Sequence, residues 1–284
     1  MSYQQLQRVV VRMLYDPAFV VQIFADPTTV LRDEDLTDQE RRWLVEADRR
    51  AYAVDPLRRA RTLTALIEEF PVSVQHLVQQ TGQPGLLDAF FSSPHFHTCI
   101  QQRGSLAMAF SEYVLSAALQ YHSPGLALFP LVQIEMAVAR LRRQQGNPEA
   151  ASAAAQNSLT VASTVTLLHV PGGTLAHYQA ALDILSSDAD GLVAAACKPS
   201  TLPLPQEPQE DEWLLIVWHQ DGAAIEILPE ALGHLLATTP ASRSALVVTA
   251  CALGAESDEA NEIIDDLIAD GILCEETEAR SRHD

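Results

Sequence analysis

The stretch Trp213–Leu228 reads WLLIVWHQDGAAIEIL and decides the fold of the second half of the chain. Its first six residues are all apolar or aromatic, a composition that favours a buried strand. Asp221-Gly222 is a strong signal for a tight turn between two strands. Ala223–Leu228 then returns as a second strand, so the stretch predicts an antiparallel β-hairpin.

Three helices and a short strand are predicted after this hairpin. Ser242 and Ser257 stand where N-caps of the second and third helices are expected. The third helix carries its apolar residues on one face, and Gly271 ends it. Residues 272–274 then begin a closing strand. A hairpin, three helices and a closing strand have the outline of a winged helix. The helices are predicted at about 229–238, 242–253 and 257–270.

The first half of the chain is predicted to be helical, because capping residues repeatedly precede prolines or helix-forming runs. Thr37 and Glu40 form the pattern of a capping box. We expect an irregular bundle of about seven or eight short helices with no internal repeat. The cap-and-proline pairs are Asp16-Pro17, Asp26-Pro27, Asp55-Pro56 and Ser93-Pro94.

The middle of the chain changes character. Residues 159–170 are rich in Val, Thr and Leu and predict a strand, and residues 174–186 predict a helix. Residues 199–212 contain four prolines and several acids, which is typical of a linker. We therefore predict a helical domain at 1–150, a connecting region at 151–206 and a winged-helix-like domain at 207–284. The fold class is α+β and mostly helical, an N-terminal irregular helical bundle followed by a winged-helix-like domain with a small antiparallel sheet.

Charge narrows the possible partners. The chain has 284 residues and a formal net charge of −19, and residues 207–284 hold 18 acids against three arginines, a local charge of −15. The predicted third helix bears six acids and no Lys or Arg. Such a field repels phosphate backbones and anionic lipid. We expect no nucleic-acid and no membrane partner, which makes a transcriptional regulator a weak alternative.

Targeting and redox signals are absent from the sequence. No run of about 18 apolar residues predicts a membrane span, and the first residues lack the pattern of a signal peptide. The four cysteines are isolated, so neither a zinc knuckle nor a dithiol site is indicated. We expect a cytoplasmic protein whose cysteines are small core residues.

No nucleophile-elbow, phosphate-loop or dinucleotide motif is present. His95 and His97 form the one histidine cluster, close to Cys99. On a helix these two histidines would point about 200° apart, so they can share a metal only in extended chain. We predict no catalytic residue and no metal ligand in this chain. The alternative is a small metalloenzyme that uses His95 and His97, with Cys99 or Glu112 as a further ligand.

Two segments resemble known families. Residues 6–77 contain the Asp-Pro pairs, the run Leu36-Thr37-Asp38-Gln39-Glu40-Arg41 and Phe70-Pro71. This sequence pattern resembles that of the partner subunits of multinuclear non-heme iron-dependent oxidative enzymes. Those enzymes modify cysteines of ribosomal peptides (RiPPs), as in methanobactin and 3-thiaglutamate biosynthesis. Residues 213–274 are similar to the leader-recognition winged helices of peptide-modifying systems.

The resemblance implies a non-catalytic subunit in a heterodimer with an iron oxidase. It implies that the iron belongs to the partner subunit and that this chain holds no cofactor. It also implies that the complex modifies a cysteine of the peptide, and one such modification is excision of the cysteine β-carbon. A ribosomal precursor peptide would be bound through its leader and presented to the oxidase for natural product biosynthesis.

Peptide binding is expected by strand addition, because an edge strand offers unpaired backbone groups to an extended peptide. Apolar pockets near the third helix would give specificity, and its acids Asp265 and Asp266 would attract a basic leader residue. The predicted peptide-binding residues are Ala223, Ala224, Ile225, Glu226, Ile227, Leu228, Ile264, Asp265 and Ile268.

Docking of the oxidase is expected on residues 1–206, which hold most of the arginines. A rim of arginines can pair with acids on a partner and accelerate association. The arginines considered are Arg41, Arg42, Arg49, Arg50, Arg58, Arg59 and Arg61.

Overall fold

The structure, a computed structural model, describes residues 3–53, 55, 57–120, 128–144, 158–199, 209–219 and 222–275. The chain forms two compact units: Met1–Val132 with Ala181–Pro203, and Gln133–Ala180 with Leu204–Asp284. Helices dominate and the strands are short, which confirms the mostly helical α+β prediction.

Ten α-helices precede the first strand in the described residues, more than the seven or eight expected. They are α1 Tyr3–Tyr15, α2 Pro17–Ala25, α3 Pro27–Val30, α4 Asp38–Glu46, α5 Arg58–Glu69, α6 Pro71–Thr81, α7 Gly85–Ala89, α8 Pro94–Gln102, α9 Leu106–Gln120 and α10 Leu128–Gln144. Two 3-10 helices lie among them, at Arg49–Ala53 and Phe90–Ser92. Two of the ten are very short, since α3 has four residues and α7 has five.

The helix caps of the first unit are largely those predicted. Asp16, Asp26 and Ser93 each accept a hydrogen bond from a backbone N–H three residues ahead, at 3.1, 3.1 and 3.3 Å. Thr37 N–H donates to Glu40 Oε2 at 2.7 Å and Glu40 N–H donates to Thr37 Oγ1 at 3.2 Å, which completes the capping box. These caps satisfy backbone donors that the first turn of a helix leaves open.

Two predicted caps are wrong. Asp55 does not cap α5, which begins at Arg58 without a side-chain cap, because the Asp55 carboxylate pairs with Arg58 and Arg61 instead. Ser257 is the first residue of its helix rather than the cap. The N-cap is Glu256, whose N–H donates to Glu259 Oε2 at 3.3 Å. The carboxylate of Glu259, in the first turn of the helix, therefore satisfies the backbone N–H of the N-cap residue.

Buried aromatic rings fill the core of the first unit. Phe90 lies 5.4, 5.5 and 5.2 Å from the rings of Phe91, Phe96 and Phe110. Beside them, every residue of α6 from Pro71 to Val78 is buried. A second cluster, which includes Met13, lies among α1–α4.

The second unit contains all of the strands in the described residues. In chain order the remaining elements are β1 Ser158–Val161, β2 Val165–Gly172, α11 Thr174–Ser186, α12 Leu192–Ala196, β3 Gln209–His219, β4 Gly222–Leu228, α13 Glu230–Ala237, β5 Ala241–Ser242, α14 Arg243–Ala252, α15 Ser257–Ala269 and β6 Leu273–Glu275. Helix α12 belongs to the first unit, and α10 and α11 each run from one unit into the other.

The strands form two three-stranded antiparallel sheets, ordered β2-β3-β4 and β5-β1-β6. The predicted hairpin is present as β3 and β4, with Trp213 opposite Leu228 and His219 opposite Gly222. Gln220 and Asp221 of the predicted turn lie outside the described residues. Leu214 and Ile216 are fully buried on one face of β3, and Leu215 is buried on the other. Burial on both faces explains why this strand has an unbroken apolar sequence.

The middle segment is more than a connecting region. Residues 159–170, expected as one strand, divide at 162–164 into β1 and β2. Strand β2 pairs with β3, and β1 is the centre of the second sheet. The closing strand β6 pairs with β1 rather than with the hairpin. Residues 158–172 are therefore needed to complete the sheets of the second unit.

Helices α13–α15 pack with β1, β2 and β3 in one core. Its buried residues include Val165, Leu215, Leu246, Ile264 and Leu273. At its margin α13 approaches β3 closely, because Gly233 has no side chain: a Cβ there would lie 2.1 Å from Cγ of Trp213. This glycine permits the contact that places α13 against the hairpin.

We predict that Gly233→Ala lowers the free energy of unfolding by about 1–3 kcal/mol, since the new methyl group overlaps the Trp213 ring and its Cβ. Helix propensity alone would make the alanine variant more stable by about 1 kcal/mol. A loss of unfolding free energy would therefore point to the overlap with Trp213. Urea unfolding measures it. Gly85→Ala in α7, where a Cβ meets nothing within 4 Å, is the control and should cost no stability. Equal stability of Gly233→Ala and wild type would contradict the close approach.

Candidate peptide-binding site

Strand β4 lies at an edge of its sheet. It pairs with β3 on one side, and within the described residues no strand pairs with its other side. Ile227 is 57% exposed on this strand and Glu226 is also exposed, while Ala223, Ala224, Ile225 and Leu228 are half-buried. The edge position predicted for residues 223–228 is confirmed. An edge strand has backbone N–H and C=O groups that no other strand of the described residues pairs with.

The second edge of the same sheet is formed by β2, and it is less suited to pairing. The register between β2 and β3 shifts between Val170 and Gly172, which marks an irregularity. Pro171 lies within that irregular part and has no N–H to donate. Bulges and prolines are devices that discourage further pairing at a sheet edge. Neither interrupts β4.

The strand register assigns each β4 residue to a face, because directly opposite residues share one. Glu226 lies opposite Leu215, whose side chain belongs to the core formed with α13–α15. We call this the helix face. Ile225 and Ile227 lie opposite Ile216 and Leu214 and belong to the other face. A strand added beside β4 would place alternate side chains on each of these faces.

The two apolar residues of α15 that were predicted to bind the peptide differ in how deeply they are buried. Ile264 is fully buried among Leu215, Leu246 and Leu267, so its side chain supports the core and is not open to a peptide. Ile268, half-buried at the margin of the same core, is the more accessible of the two predicted pocket residues. Helical periodicity put both on one face but did not show which of them would be covered completely.

The two acids of α15 that were predicted to bind the peptide also differ, since one has an ion-pair partner and the other has none in the described residues. Asp265 Oδ1 lies 2.7 Å from Nη2 of Arg243 in an exposed ion pair. Asp266 is exposed, and its carboxylate has no hydrogen-bond or ion-pair partner in the described part of the chain. Exposed ion pairs contribute little stability. Asp266 is therefore the free anionic group of the pair.

A cluster of three aromatic rings lies at the end of β4 and was not expected from the sequence. The ring of Trp213 lies 4.4 Å from His169 and 5.5 Å from His234. Its indole Nε1 is buried, with no hydrogen-bond acceptor within the described ranges. The cluster lies at the end of the sheet where Trp213 pairs with Leu228. A glycine inside α13 was the one sequence signal for this close packing.

The predicted histidine pair does not converge. Both residues lie on α8, and they face different acids. His95 Nδ1 is 3.7 Å from Glu112 Oε2, whereas His97 Nε2 is 3.8 Å from Asp16 Oδ2. In the described residues no group of three or more His, Cys, Asp or Glu side chains is arranged to hold a metal ion.

Burial also determines the protonation of this region. It lowers the pKa of His97 to about 4, and the positive charge of Arg12 contributes to that shift. His97 is therefore neutral at pH 7. Burial raises the pKa of Cys99, as does the nearby Glu112, which keeps the thiol protonated. A protonated thiol is a poor nucleophile and a poor metal ligand.

Most of the arginines proposed for docking are occupied by acceptors of this chain. Arg41 donates to three backbone carbonyls, and Arg42 donates to the carbonyl of Asp38. The others pair with acids: Arg50 with Asp48, Arg58 and Arg61 with Asp55, and Arg59 with Asp88. Of these seven arginines, Arg49 alone has no hydrogen-bond or ion-pair partner in the described residues.

Comparison with known proteins adds no assignment. No protein-family model matches this chain, and no curated protein matches its sequence. None of the helices in the described ranges has the length and apolar character required to cross a membrane. The resemblances drawn from the sequence therefore remain predictions.

We predict that the purified full-length chain holds well under one equivalent of iron or zinc, because His95 and His97 serve different acids. Elemental analysis of the isolated protein measures this. His234→Ala, which removes an exposed histidine of the second unit, is the control for His95→Ala. Stoichiometric metal that is lost on His95→Ala but kept on His234→Ala would support the metalloenzyme alternative instead.

Proposed function

We propose that this chain is a non-catalytic partner subunit that binds the leader of a ribosomal precursor peptide and presents it to a multinuclear non-heme iron oxidase. The observation that carries the peptide-binding part is the edge position of β4, in a sheet that shares one core with the helices α13–α15. The oxidase and its cysteine chemistry, with β-carbon excision as one form, come from the sequence resemblance. The setting of the complex is proposed to be cytoplasmic.

Backbone pairing would supply the affinity. Strand addition uses the N–H and C=O groups of an edge strand and does not depend on the side chains of the peptide. The edge formed by β4 is uninterrupted, in contrast to the edge at β2. The order of hairpin and three helices supports the likeness to winged-helix leader-recognition modules, although β6 pairs with β1.

Side chains on the helix face would supply selectivity. Glu226 is exposed there, and α15, with the unpaired Asp266, packs into the same core. A Lys or Arg of the leader placed on this face would meet negative charge. On the other face, the leader would cover the exposed side chain of Ile227. The proposal therefore favours a leader in which basic and apolar residues alternate.

We predict that the full-length chain binds the precursor peptide encoded by a neighbouring gene, and that Asp266→Lys weakens this binding about threefold to fivefold, the value of a partly exposed ion pair. Isothermal titration at low salt measures the affinity. The difference should shrink as salt screens the charges. The full chain is required because β1 and β2 complete the sheets.

Two further variants test whether charge or apolar contact accounts for the binding. Glu46→Lys makes the same charge change on an exposed acid of α4 and should leave the affinity unchanged. Ile227→Ser should weaken binding without a salt dependence, since it removes apolar cover rather than charge. A folded chain that shows no peptide binding at low salt would overturn the proposal.

Docking of the oxidase is assigned to the helical first unit, which lies within the predicted residues 1–206. We predict that the oxidase copurifies with this chain and slows amide hydrogen exchange within residues 3–120. The leader peptide alone should slow exchange within β4 instead. Hydrogen exchange read by mass spectrometry separates the two. Oxidase-dependent protection confined to residues 209–275 would reverse the assigned roles.

A further inference from the structure

A cavity of about 430 Å³ opens in the first unit, among α1, α2 and the 3-10 helix Arg49–Ala53. Met13 and Val20 lie at its lining and are 1% and 5% exposed, so the cavity reaches the core. Leu14 and Pro17 add further apolar surface. Pockets of about 300–1,000 Å³ with mostly apolar walls and few polar groups are typical of small-molecule sites.

Most polar groups around this cavity already have partners. Tyr52 lines it, but its hydroxyl donates to the carbonyl of Leu44 at 2.9 Å, which leaves the ring as an apolar wall. Arg50 and Arg59 pair with Asp48 and Asp88. Asp55 at the rim is held by two arginines of its own chain.

Arg49 is the exception at the rim. Its guanidinium is exposed and has no hydrogen-bond or ion-pair partner in the described part of the chain. The rim and the groups that pair with it comprise five arginines against three aspartates, a net formal charge of +2. This positive mouth belongs to a chain whose net charge is −19. The five are Arg49, Arg50, Arg58, Arg59 and Arg61, and the aspartates are Asp48, Asp55 and Asp88.

We propose that this cavity binds a small hydrophobic carboxylic acid, with the carboxylate on Arg49 and the apolar body against Met13, Leu14 and Val20. A guanidinium offers two parallel N–H donors that match a carboxylate. A sugar or nucleotide would find too few free polar partners here. A neutral apolar ligand would make no use of Arg49. This site is independent of peptide binding at β4.

Decanoate, decanol and decylamine are the probes, titrated into the full-length chain by calorimetry below micelle formation. Decanoate should bind saturably with one site and about tenfold tighter than decanol, because only the anion gains a charge-assisted pair. Decylamine should bind most weakly. Arg49→Gln should reduce decanoate affinity about tenfold and leave decanol affinity unchanged.

Two more variants complete the test. Arg42→Gln removes an exposed arginine that lies outside the cavity lining, and it should not change decanoate affinity. Ala53→Trp fills the cavity from its exposed rim and should abolish binding while the circular dichroism melt stays at the wild-type temperature. The proposal is overturned if decanoate does not bind saturably, if Arg49→Gln binds it as well as wild type, or if decylamine binds equally well.

Discussion

Strand β3 is the element on which the second unit depends. It is hydrogen-bonded on both sides, to β2 and to β4, and its side chains are buried on both faces. The two requirements together demand an uninterrupted apolar sequence, which residues 213–218 provide. The strand order places β4 at the edge, and its register with β3 directs Glu226 to the side of the helices. The proposed peptide site follows from that single constraint.

Local signals in the sequence predicted much of this structure. Helix caps depend on a few neighbouring residues, and those at Asp16, Asp26, Thr37 and Ser93 are present as expected. The hairpin pairing was predictable for the same reason. The cap predicted at Asp55 failed because charges on the next turn, at 58 and 61, compete for the carboxylate. A pattern of capping residues does not include that competition.

Long-range pairing was not predictable. Strand β6 is more than a hundred residues from β1 along the chain, and neither segment indicates its partner in its own composition. The same limit applies to the candidate site. Periodicity grouped Ile264 with Ile268, but their burial differs because only tertiary packing decides which part of a helix face is covered. The ion pair of Asp265 and the ring contacts around Trp213 are likewise contacts between distant segments.

The central claim is that an extended leader adds to the sheet beside β4. Isotope-edited NMR of the full chain with a labelled leader peptide tests it most directly, through contacts between backbone protons of the two strands. The account predicts cross-strand contacts from the peptide to residues 223–228 and none to β2. Contacts to residues 165–170 instead, or a bound peptide without any cross-strand contacts, would contradict it.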